Sequence, residues 1–464
     1  MSLCNTNYGN TAIGQVLGRG KSVYFVGIGG IGMQGLALLL KERGYCVNGS
    51  DLHAEGAGIA LLRAHGIGVD VGHRRENIKN PNLVVYTLAL PESCPELLSA
   101  KQQGILAVSR AELLGYLMSA YADSVAVSGT HGKSTATGML AAALTAAGRD
   151  PTVLSGAPLT HGGLPLRIGE GETAVCEACE YMDSFLHLTP KIAVVLNVEE
   201  EHIDWFPTLE SAQNSFLAFA SRAETVVLPC DGKGTEMIFA HLGSRAVTFG
   251  LNENATSAAA DITWENGCAS FMYRFCGKNI GRARLSVPGM HNVYNALAAL
   301  CVCGELGVSL ADALDGIGAF SGVAGRLEFR GTWRGMQVHA DYAHHPTEIV
   351  ASLSALRARV GAGRLFCIYQ PHTYSRTAAF FNRFAEALSA ADRTLLLDIY
   401  AAREENTSGI TSAALAAATR NARYLPKREE VIPLLIKEGL PGDTVVFMGA
   451  GDISKIPDLL SFEE

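Results

Sequence analysis

The stretch SVAVSGTHGKSTATGML, residues 124–140, combines a short β-branched run, a glycine-containing loop and a helix-forming segment. Backbone N–H groups in such a loop converge on phosphate oxygens, and the positive end of the following helix also favours an anion. Lys133 can neutralise the β- and γ-phosphates, and the Ser134 hydroxyl can ligate Mg²⁺. The standard frame G-x-x-x-x-G-K-[ST] requires glycine where Val127 stands, so the loop is a compact variant. The stretch therefore predicts a nucleoside triphosphate site, and the alternative is a surface turn that contains G-K-S by chance.

A second glycine turn occurs near the start of the chain, where YFVGIGGIGMQG covers residues 24–35. Gly27, Gly29 and Gly32 stand in a G-x-G-x-x-G frame after a short apolar run, which is typical of a turn that holds a pyrophosphate at a helix N-terminus. Asp51 follows this turn, and its carboxylate can accept hydrogen bonds from ribose hydroxyls or a base N–H. The frame alone permits a nicotinamide or flavin dinucleotide as well as another nucleotide diphosphate.

Short apolar strands alternate with helical stretches along almost the whole chain, which is the pattern of parallel sheets covered by helices. The pattern restarts twice, at the loop stretch above and at MQVHADYAHHPTEI. A chain of 464 residues agrees with two or three domains. We therefore predict an α/β protein with three units in series, with limits at residues 1–118, 119–324 and 325–464.

The composition is that of a globular protein, with 48% hydrophobic and 18% charged residues. The net charge of −8 and the lack of a Lys/Arg block argue against nucleic acid as a partner. No run approaches the roughly 18 apolar residues of a membrane span, so we expect no membrane insertion. The start MSLCNTNYGNTAIGQVLGRGKS has no secretory signal pattern and is expected to form a short, loose leader. Together with irregularly spaced cysteines, this predicts a cytoplasmic protein with reduced thiols.

Candidate metal ligands follow two further predicted strands. Glu177 ends the strand in TAVCEA, and His202 and Asp204 follow the strand in KIAVVLNVEEEHID. Open α/β sheets place their ligands at the carboxyl ends of strands, so these side chains are expected near the phosphate loop. Cys176 and Cys179 form one C-x-x-C pair, for which a redox or zinc role is the alternative interpretation. Acidic neighbours raise thiol pKa values and favour a role for the carboxylates instead.

The combination of motifs resembles the ATP-dependent Mur ligases of peptidoglycan synthesis. The resemblance rests on GTHGKS, NVEEEHID, PGMHNVYNALAAL, GVAGRLEF, DYAHHPTEI and LDIYAAREE, which occur in the family's order and span nearly the whole chain. It implies a three-domain architecture with a Rossmann-like N-terminal domain, a central P-loop ATPase-like domain and a Rossmann-like C-terminal domain. It also implies that the first glycine turn holds the diphosphate of a UDP-sugar rather than a nicotinamide dinucleotide. The residues implied for that role are Gly27, Gly29, Gly30, Gly32 and Asp51.

The resemblance implies ATP and Mg²⁺ as cofactors, with Lys133 at the β- and γ-phosphates. Ser134 and Glu177 would bind one Mg²⁺, and His202 with Glu177 would bind a second. The implied nucleotide contacts come from the loop, an adenine-side segment and the third domain: Gly129, Thr130, His131, Gly132, Lys133, Ser134, Thr135, His291, Asn292, Asn295, Arg326 and Asp341.

The resemblance also implies an amino-acid site in the third domain, formed by Tyr342, His372, Tyr374 and Arg376. If QPHTYSRT is extended, the last three of these residues lie on one side, and Arg376 is the natural carboxylate clamp. Of the adjacent His344 and His345, only one can face the ligands on an extended segment, and the resemblance favours His345. The implied catalytic set is Lys133, Glu177, His202, His345 and Arg376.

The implied reaction joins an amino acid to a carboxylate that ATP has converted to an acyl phosphate. Its implied substrates are UDP-N-acetylmuramate and L-alanine, and either a monomer or a homodimer is expected. Three alternatives stay open: a sister ligase that adds a ready-made peptide during cell-wall recycling, a dinucleotide-dependent oxidoreductase and a catalytically silent UDP-sugar sensor. QPHTYSRT favours the single amino acid, and the intact Lys133, Glu177 and His202 disfavour a silent sensor.

Overall fold

The computed structural model describes residues 9–53, 55–160, 163–232 and 234–463, and three β-sheets organise this part of the chain. Each sheet is built mainly of parallel strands, with helices in the connections between them. Parallel strands need a crossover connection, and the alternation of apolar strands with helices supplies it. The predicted α/β class and the series of three units are confirmed.

The first sheet has five parallel strands in the order β3-β2-β1-β4-β5. Its strands are β1 (Ser22–Val26), β2 (Cys46–Asp51), β3 (Gly68–Val71), β4 (Leu83–Tyr86) and β5 (Leu106–Ser109). The helices of this unit are α1 (Gly9–Arg19), α2 (Ile31–Glu42), α3 (Ala57–Ala64), α4 (Pro95–Gln102) and α5 (Arg110–Met118), with a 3-10 helix at Arg75–Asn77. The strand order changes direction at β1, and open α/β sheets bind ligands at such a point.

The central sheet has ten strands in the order β15-β14-β13-β12-β11-β10-β6-β9-β7-β8. Its strands are β6 (Asp123–Ser128), β7 (Thr152–Leu154), β8 (Leu166–Arg167), β9 (Thr173–Glu177), β10 (Ile192–Val195), β11 (Thr225–Pro229), β12 (Ala246–Gly250), β13 (Ser257–Glu265), β14 (Cys268–Phe275) and β15 (Lys278–Pro288). Its helices are α6 (Lys133–Ala146), α7 (Leu209–Ala220), α8 (Glu236–Leu242), α9 (Met290–Glu305) and α10 (Leu310–Ala319), with 3-10 helices at Tyr181–His187 and Gly243–Arg245. Because β6 pairs in parallel with both β9 and β10, the segments that follow these three strands meet at one edge.

The third sheet has the order β16-β17-β21-β18-β19-β20, with β16 antiparallel at one edge. Its strands are β16 (Glu328–Trp333), β17 (Met336–Asp341), β18 (Leu365–Tyr369), β19 (Arg393–Leu396), β20 (Ala422–Tyr424) and β21 (Thr444–Met448). Its helices are α11 (Pro346–Val360), α12 (Tyr374–Ala379), α13 (Phe381–Leu388), α14 (Ser412–Ala418) and α15 (Val431–Glu438), with 3-10 helices at Arg428–Glu430, Asp452–Lys455 and Pro457–Leu459. Apolar clusters cover both faces, which explains why β18 is apolar at every position.

Two kinds of interface join the three units. Leu36 and Leu113 of the first unit belong to the same buried apolar cluster as Leu154 and Phe185 of the central unit. The central and third units instead meet through ion pairs and hydrogen bonds around a cavity. Polar interfaces between domains resemble transient protein contacts, whereas a shared apolar core holds two units in one arrangement.

Parts of the fold differ from the sequence-based expectation. The end of the expected loose leader forms α1, because Ile13 and Leu17 lie one helical turn apart and are both buried. The preceding residues 1–8 lie outside the described residues.

The antiparallel strands β13–β16 have no counterpart among the predicted strands, because their mixed polar and apolar residues give a weaker pattern than a buried strand. The domain limits stay a prediction, and they fall between α5 and β6 and between α10 and β16.

No helix in the described part of the chain is long and apolar enough to cross a membrane. The cysteines among the same residues are all free thiols. Five of them are buried, where a cysteine behaves as a small apolar residue.

Candidate active site

A large cavity lies between the central and third sheets, and its volume is about 1400 Å³. Its walls come from the loop after β6, the segments after β9 and β10, the start of α9 and residues around β17 and α12. Residues 130–135 of the loop line it. A cavity of this size has room for a nucleotide together with further substrate groups.

The loop between β6 and α6 has the predicted order of strand, turn and helix. Gly129 and Gly132 have positive φ angles of 142° and 84°, a conformation that disfavours a side chain. A Cβ atom at Gly129 would lie 2.9 Å from the Leu196 Cβ, and one at Gly132 would lie 2.7 Å from the Asn295 Oδ1. The two glycines therefore allow the loop to curl closely over the end of β10 and the start of α9.

Lys133, the first residue of α6, folds back into the loop. Its Nζ donates to the carbonyl oxygens of Gly129 at 2.5 Å and Thr130 at 3.1 Å, and to Glu180 Oε1 at 3.0 Å. Burial is the largest influence on the pKa of Lys133 and lowers it, but Glu180, with smaller contributions from Cys179 and Glu177, outweighs burial and holds this pKa above its ordinary value. The loop therefore contains a charged, positioned ammonium group at neutral pH.

Glu180, rather than Glu177, is the carboxylate that contacts Lys133. Glu180 is 2% exposed, and its Oε2 lies 2.9 Å from the Lys133 Nζ without an aligned hydrogen bond. Burial is the largest influence on the pKa of Glu180 and raises it, but Lys133 and His202 together outweigh burial and hold this pKa below its ordinary value. Glu177 also lines the cavity, but its Oε1 accepts from the Ser155 hydroxyl at 2.8 Å and the Gly156 N–H at 2.5 Å.

The structure places His202 beside Glu180 rather than beside Glu177, and the binding of Mg²⁺ by His202 together with Glu177 stays a prediction. The His202 Nε2 lies 3.4 Å from Glu180 Oε1, and the ring packs against Tyr181 with centroids 4.6 Å apart. Glu177 is still part of β9, and only the turn after this strand carries Glu180 across to the loop. The other candidate, Asp204, accepts from the Tyr181 hydroxyl at 2.6 Å instead.

His131 in the loop is held by acidic residues from two units. Its Nδ1 lies 3.2 Å from Glu348 Oε1 on α11, and its Nε2 lies 3.7 Å from Glu199 Oε2 after β10. Burial lowers the pKa of His131, but the two carboxylates outweigh burial and raise it to about 9. The Thr347 hydroxyl of α11 donates to the same Glu199 oxygen at 2.7 Å. The charged imidazole therefore ties the loop to α11, a contact between distant segments that no sequence motif signals.

The predicted adenine-side residues line the cavity at the start of α9. Asn292 Nδ2 donates to the Pro288 carbonyl oxygen at 2.7 Å, and Asn295 Nδ2 donates to Asn292 Oδ1 at 3.1 Å. Burial lowers the pKa of the adjacent His291 to about 4, so its ring is neutral at pH 7. Neutral imidazole and amide groups suit the edge of a base, and their contact with adenine stays a prediction.

Arg326 and Asp341, predicted to reach the nucleotide from the third unit, line the same cavity. The Arg326 guanidinium lies over the ring of Tyr342, 4.9 Å from its centroid, and Tyr342 is 44% exposed. Asp341 accepts from the Ser352 hydroxyl and from the Ala343 N–H at 3.3 Å, and burial raises its pKa to about 6. This wall of the cavity therefore presents the Asp341 carboxylate and the Tyr342 ring, which the Arg326 guanidinium covers.

Of the two adjacent histidines, His344 lines the cavity and His345 does not, which corrects the preference for His345. His345 is fully buried and caps α11, where its Nδ1 accepts from the Thr347 N–H at 3.3 Å. An N-cap residue turns its side chain toward the free N–H groups of its helix, and the preceding residue is left to face outward. Burial lowers the pKa of His344 to about 4, so this ring is neutral at pH 7.

The expectation for Tyr374 is also corrected, because QPHTYSRT is not extended. The helix α12 begins at Tyr374, and helical geometry brings together residues four apart rather than alternate residues. His372 lies just before the N-cap Thr373, and its Nδ1 lies 2.9 Å from Arg376 Nη1 in the first turns of α12. Both of these side chains line the cavity, and Tyr374 does not.

Arg376 is also bound by Glu201, which lies in the segment after β10. The two residues are 8% and 6% exposed, and the Arg376 Nε and Nη2 atoms lie 2.9 and 2.7 Å from Glu201 Oε1. Burial is the largest influence on the pKa of Glu201 and raises it, but Arg376, with smaller contributions from neighbouring histidines, outweighs burial and holds this pKa well below its usual range. Sequence reasoning missed Glu201, and the acidic run VEEEH at residues 198–202 is the signal that could have drawn attention to it.

The first glycine turn connects β1 to α2 and is held by hydrogen bonds to residues of β2. Gly27, with φ of 80°, donates its N–H to the Ser50 carbonyl oxygen at 2.8 Å. The Gly29 N–H donates to Asp51 Oδ2 at 2.8 Å, and Gly30 is the N-cap of α2. All four predicted glycines lie in this turn or at the start of α2: Gly27, Gly29, Gly30 and Gly32. Asp51 therefore supports the turn itself.

A buried network next to this turn was not predicted. Glu96 is fully buried and accepts from the Ser50 hydroxyl at 2.9 Å and from Asn77 Nδ2 at 2.6 Å. Its Oε2 also lies 2.6 Å from His73 Nδ1. Partners from separate elements satisfy this buried carboxylate, so the network fixes the end of β2 that carries the acceptor for the turn.

The C-x-x-C pair has no sign of reactive thiols. Burial raises the pKa of Cys176 to about 12 and also raises the pKa of Cys179 above its ordinary value. Among the described residues, the side-chain groups that could hold a metal ion include neither Cys176 nor Cys179. Thiols rather than thiolates prevail at neutral pH, which argues against the redox and zinc interpretations.

Sequence models of three Mur ligase domains match most of the chain. The Mur ligase family catalytic domain matches residues 22–122, the Mur ligase middle domain residues 127–303 and the Mur ligase glutamate ligase domain residues 325–451. The UDP-N-acetylmuramate--L-alanine ligase of Caldicellulosiruptor bescii is 39% identical over 449 residues, which are 94% of this chain and 97% of that relative. The chain belongs to the Mur ligase family. Membership confirms the resemblance and leaves the oxidoreductase alternative without support.

Other known proteins are also similar to this Mur ligase over nearly its whole length. The UDP-N-acetylmuramate--L-alanine ligase of Agathobacter rectalis is 42% identical over 450 residues, covering 94% of this chain and 97% of that relative. Among solved structures, the UDP-N-acetylmuramate-alanine ligase MurC from Thermotoga maritima has a TM-score of 0.81 and 27% identity, with 94% and 97% of the two chains covered. A murein peptide ligase from Psychrobacter arcticus has a TM-score of 0.72 and 24% identity over the same shares, which shows a common fold alone.

Proposed function

We propose that this Mur ligase joins L-alanine to the lactyl carboxylate of UDP-N-acetylmuramate, with ATP converted to ADP and phosphate, in peptidoglycan precursor synthesis. The observation that carries the proposal is the identity of 39% and 42%, over 94% of the chain, with relatives of that name. The glycine loop with Lys133 and the cavity shared by two units support a ligase that uses ATP.

A carboxylate resists attack by an amine because its charge is delocalised and its oxygen is a poor leaving group. Transfer of the γ-phosphoryl group to the lactyl carboxylate gives an acyl phosphate. Once the ammonium group of L-alanine has lost a proton, the resulting neutral amine attacks the carbonyl carbon, and phosphate leaves. Both steps need neutralisation of negative charge, which is the role we assign to Lys133. Its contacts with Glu180 and the loop carbonyls hold the ammonium group in place beforehand.

The side chains beside Lys133 fit Mg²⁺. The Ser134 hydroxyl and the Glu180 carboxylate are hard oxygen donors, and the buried Glu180 Oε2 has no aligned hydrogen-bond donor. His202 places an imidazole nitrogen 3.4 Å from the same carboxylate. We assign Ser134 and Glu180 to one Mg²⁺ and Glu180 with His202 to a second, with Glu177 as a flanking carboxylate. The chemistry that Mg²⁺ supplies when bound is neutralisation of charge on phosphate oxygens.

The first glycine turn is the proposed site of the UDP diphosphate. Free N–H groups and the positive end of the helix dipole at the start of α2 favour an anion. Because the Gly29 N–H is already donated to Asp51, the N–H groups nearer to α2 would serve the diphosphate. The proposed reaction takes place in the cytoplasm, where ATP and UDP-sugars are present. Every proposed site residue belongs to one chain, so a monomer and a homodimer are both compatible with activity.

The test is phosphate release from ATP in the presence of Mg²⁺ and UDP-N-acetylmuramate, with L-alanine, glycine, L-serine or an L-alanyl tripeptide as acceptor. Release that requires both L-alanine and the sugar nucleotide supports the proposal, and mass spectrometry should then show the L-alanyl product. Activity with the tripeptide alone would assign the chain to the peptide-recycling type. Absence of release with every acceptor would favour the UDP-sugar sensor.

A further inference from the structure

The ion pair between Glu201 and Arg376 leaves one buried carboxylate oxygen unused. Glu201 Oε1 accepts from both Nε and Nη2 of Arg376, whereas Glu201 Oε2 is buried and has no hydrogen-bond partner. Both residues line the cavity. A buried charged oxygen without a donor is unfavourable, so a polar ligand group is the expected partner.

The imidazoles that face this pair are already engaged and uncharged. His344 Nδ1 lies 3.0 Å from the Tyr342 carbonyl oxygen, and His372 Nδ1 lies 2.9 Å from Arg376 Nη1. Burial lowers the pKa of both histidines to about 4. Neither ring therefore supplies a second positive charge to Glu201 at neutral pH.

We propose that Glu201 and Arg376 together bind the charged head of the free α-amino acid, with Arg376 contacting its carboxylate and Glu201 its ammonium group. An α-amino acid carries these two opposite charges on one carbon, and adjacent side chains of opposite charge are complementary to them. Without the amino acid, the two side chains neutralise each other, so neither charge is buried alone. The inference rests on the proposed function and adds Glu201 to its amino-acid site.

This arrangement selects a free amino acid over a peptide. The first residue of a peptide acceptor has an ammonium group, but its carboxylate has become an amide. Binding such an acceptor would leave the buried Arg376 guanidinium facing an uncharged group, and a site built for a charged partner rejects an analogue that lacks it. L-Alaninamide also has an uncharged amide in place of the carboxylate, but it is no larger than a single amino acid. It therefore tests the loss of the carboxylate charge separately from the size of a peptide.

Glu201→Gln tests the inference because it removes the charge and keeps the shape. The KM for L-alanine should rise about 10- to 100-fold, as expected for loss of a hydrogen bond to a charged group, while the KM values for ATP and UDP-N-acetylmuramate change less than about twofold. Glu201→Asp keeps the charge and should recover part of the loss. Glu224→Gln is the matched control, since this glutamate is exposed and does not line the cavity. Its KM values should match those of the wild type.

An unchanged or lower KM for L-alanine in Glu201→Gln would overturn the inference. So would a similar rise in all three KM values together with a lower melting temperature, because that result indicates a structural role. In the wild type, L-alaninamide should compete with L-alanine at least about tenfold more weakly than glycine does, and equal competition would also count against the inference. Failure of the wild type to form any L-alanyl product would instead refute the proposed function itself.

Discussion

The two glycine turns of this protein have similar local structures and different surroundings. Each follows a buried parallel strand, precedes a helix and uses glycine at a positive φ angle. The turn after β1 is held by the backbone of Ser50 and the carboxylate of Asp51. The loop after β6 contains Lys133, which contacts Glu180, and His131, which contacts carboxylates from two units. The two regions therefore differ in the charged groups that other segments bring to them.

This difference separates binding of a phosphate from reaction of a phosphate. A glycine turn at a helix N-terminus offers N–H donors to any phosphate group, whichever nucleotide carries it. Transfer of a phosphoryl group additionally needs cations and metal ligands that neutralise developing charge. The loop after β6 has an ammonium group and candidate metal ligands, so it suits the nucleotide that reacts. The turn after β1 suits the nucleotide that is bound but does not transfer a phosphoryl group.

Lys133→Ala should have the largest effect on this comparison. We expect kcat to fall at least about 1000-fold, because the cation at the transferred phosphates is lost. The buried Glu180 would also lose its partner, which should lower the free energy of unfolding by about 3 kcal/mol. Phosphate release and urea denaturation measure the two effects.

The double variant Lys133→Ala/Glu180→Gln should regain stability but not activity, because it removes the unpaired charge as well. Lys101→Ala changes an exposed lysine on α4 and should leave both quantities unchanged. Near-normal turnover of Lys133→Ala would contradict the assignment of the loop to ATP.

The two carboxylates near the loop should differ in importance. Glu180→Gln should lower kcat about 100-fold and weaken the apparent affinity for Mg²⁺, because this side chain is the proposed metal ligand. Glu177→Gln should lower kcat by about tenfold or less, because its Oε1 is engaged with Ser155 and Gly156. Titration of Mg²⁺ at saturating substrates measures both variants. Equal losses would return the bridging role to Glu177.

Alanine substitutions in the two turns should affect different substrates. Gly29→Ala would place a Cβ 2.7 Å from Asp51 Oδ2, and Gly132→Ala would combine a positive φ angle with a Cβ 2.7 Å from Asn295 Oδ1. We expect the first to raise the KM for the sugar nucleotide and the second to raise the KM for ATP, each about tenfold.

Gly18→Ala, on α1, is the control for this pair, because a Cβ there has open space around it. Steady-state kinetics with each substrate varied in turn provide the measurement. If either turn variant changed both KM values equally, the separation of the two sites would be refuted.

The smallest expected effect is a pH dependence of stability from His131. Its pKa is raised from 6.5 to about 9 in the folded protein. The stabilisation by Glu348 and Glu199 is therefore complete below pH 6.5 and is lost as the pH rises through 9. In His131→Gln, the free energy of unfolding should vary less over this range than in the wild type.

His65→Gln provides the matched control for this experiment, because His65 on the first unit lies 3.9 Å from Glu42 without the burial of His131. Its pH profile should follow that of the wild type. Identical profiles for the wild type and His131→Gln would show that the contact with α11 contributes nothing to stability.

The amino-acid sequence predicts the parts of the site whose residues are neighbours in the chain. The loop with Lys133 and Ser134 follows from a strand, a turn and a helix in succession, and the structure has these elements in that order. The strand-end rule leads to Glu177, which lines the cavity, but it does not describe how the turn after β9 brings Glu180 to Lys133. The preferences for His345 and Tyr374 assume extended chain, whereas a helix N-cap and the start of α12 occupy those positions.

The sequence by itself determined the three α/β units, the two glycine turns and the family, because strand and helix periodicity and turn chemistry are local properties of a chain. Only the tertiary structure decided which side chains share the cavity. The contacts of His131 with Glu348 and of Glu201 with Arg376 join the central unit to the third unit. Such pairs depend on how two sheets are placed against each other, and local motifs and periodicity do not reveal that placement.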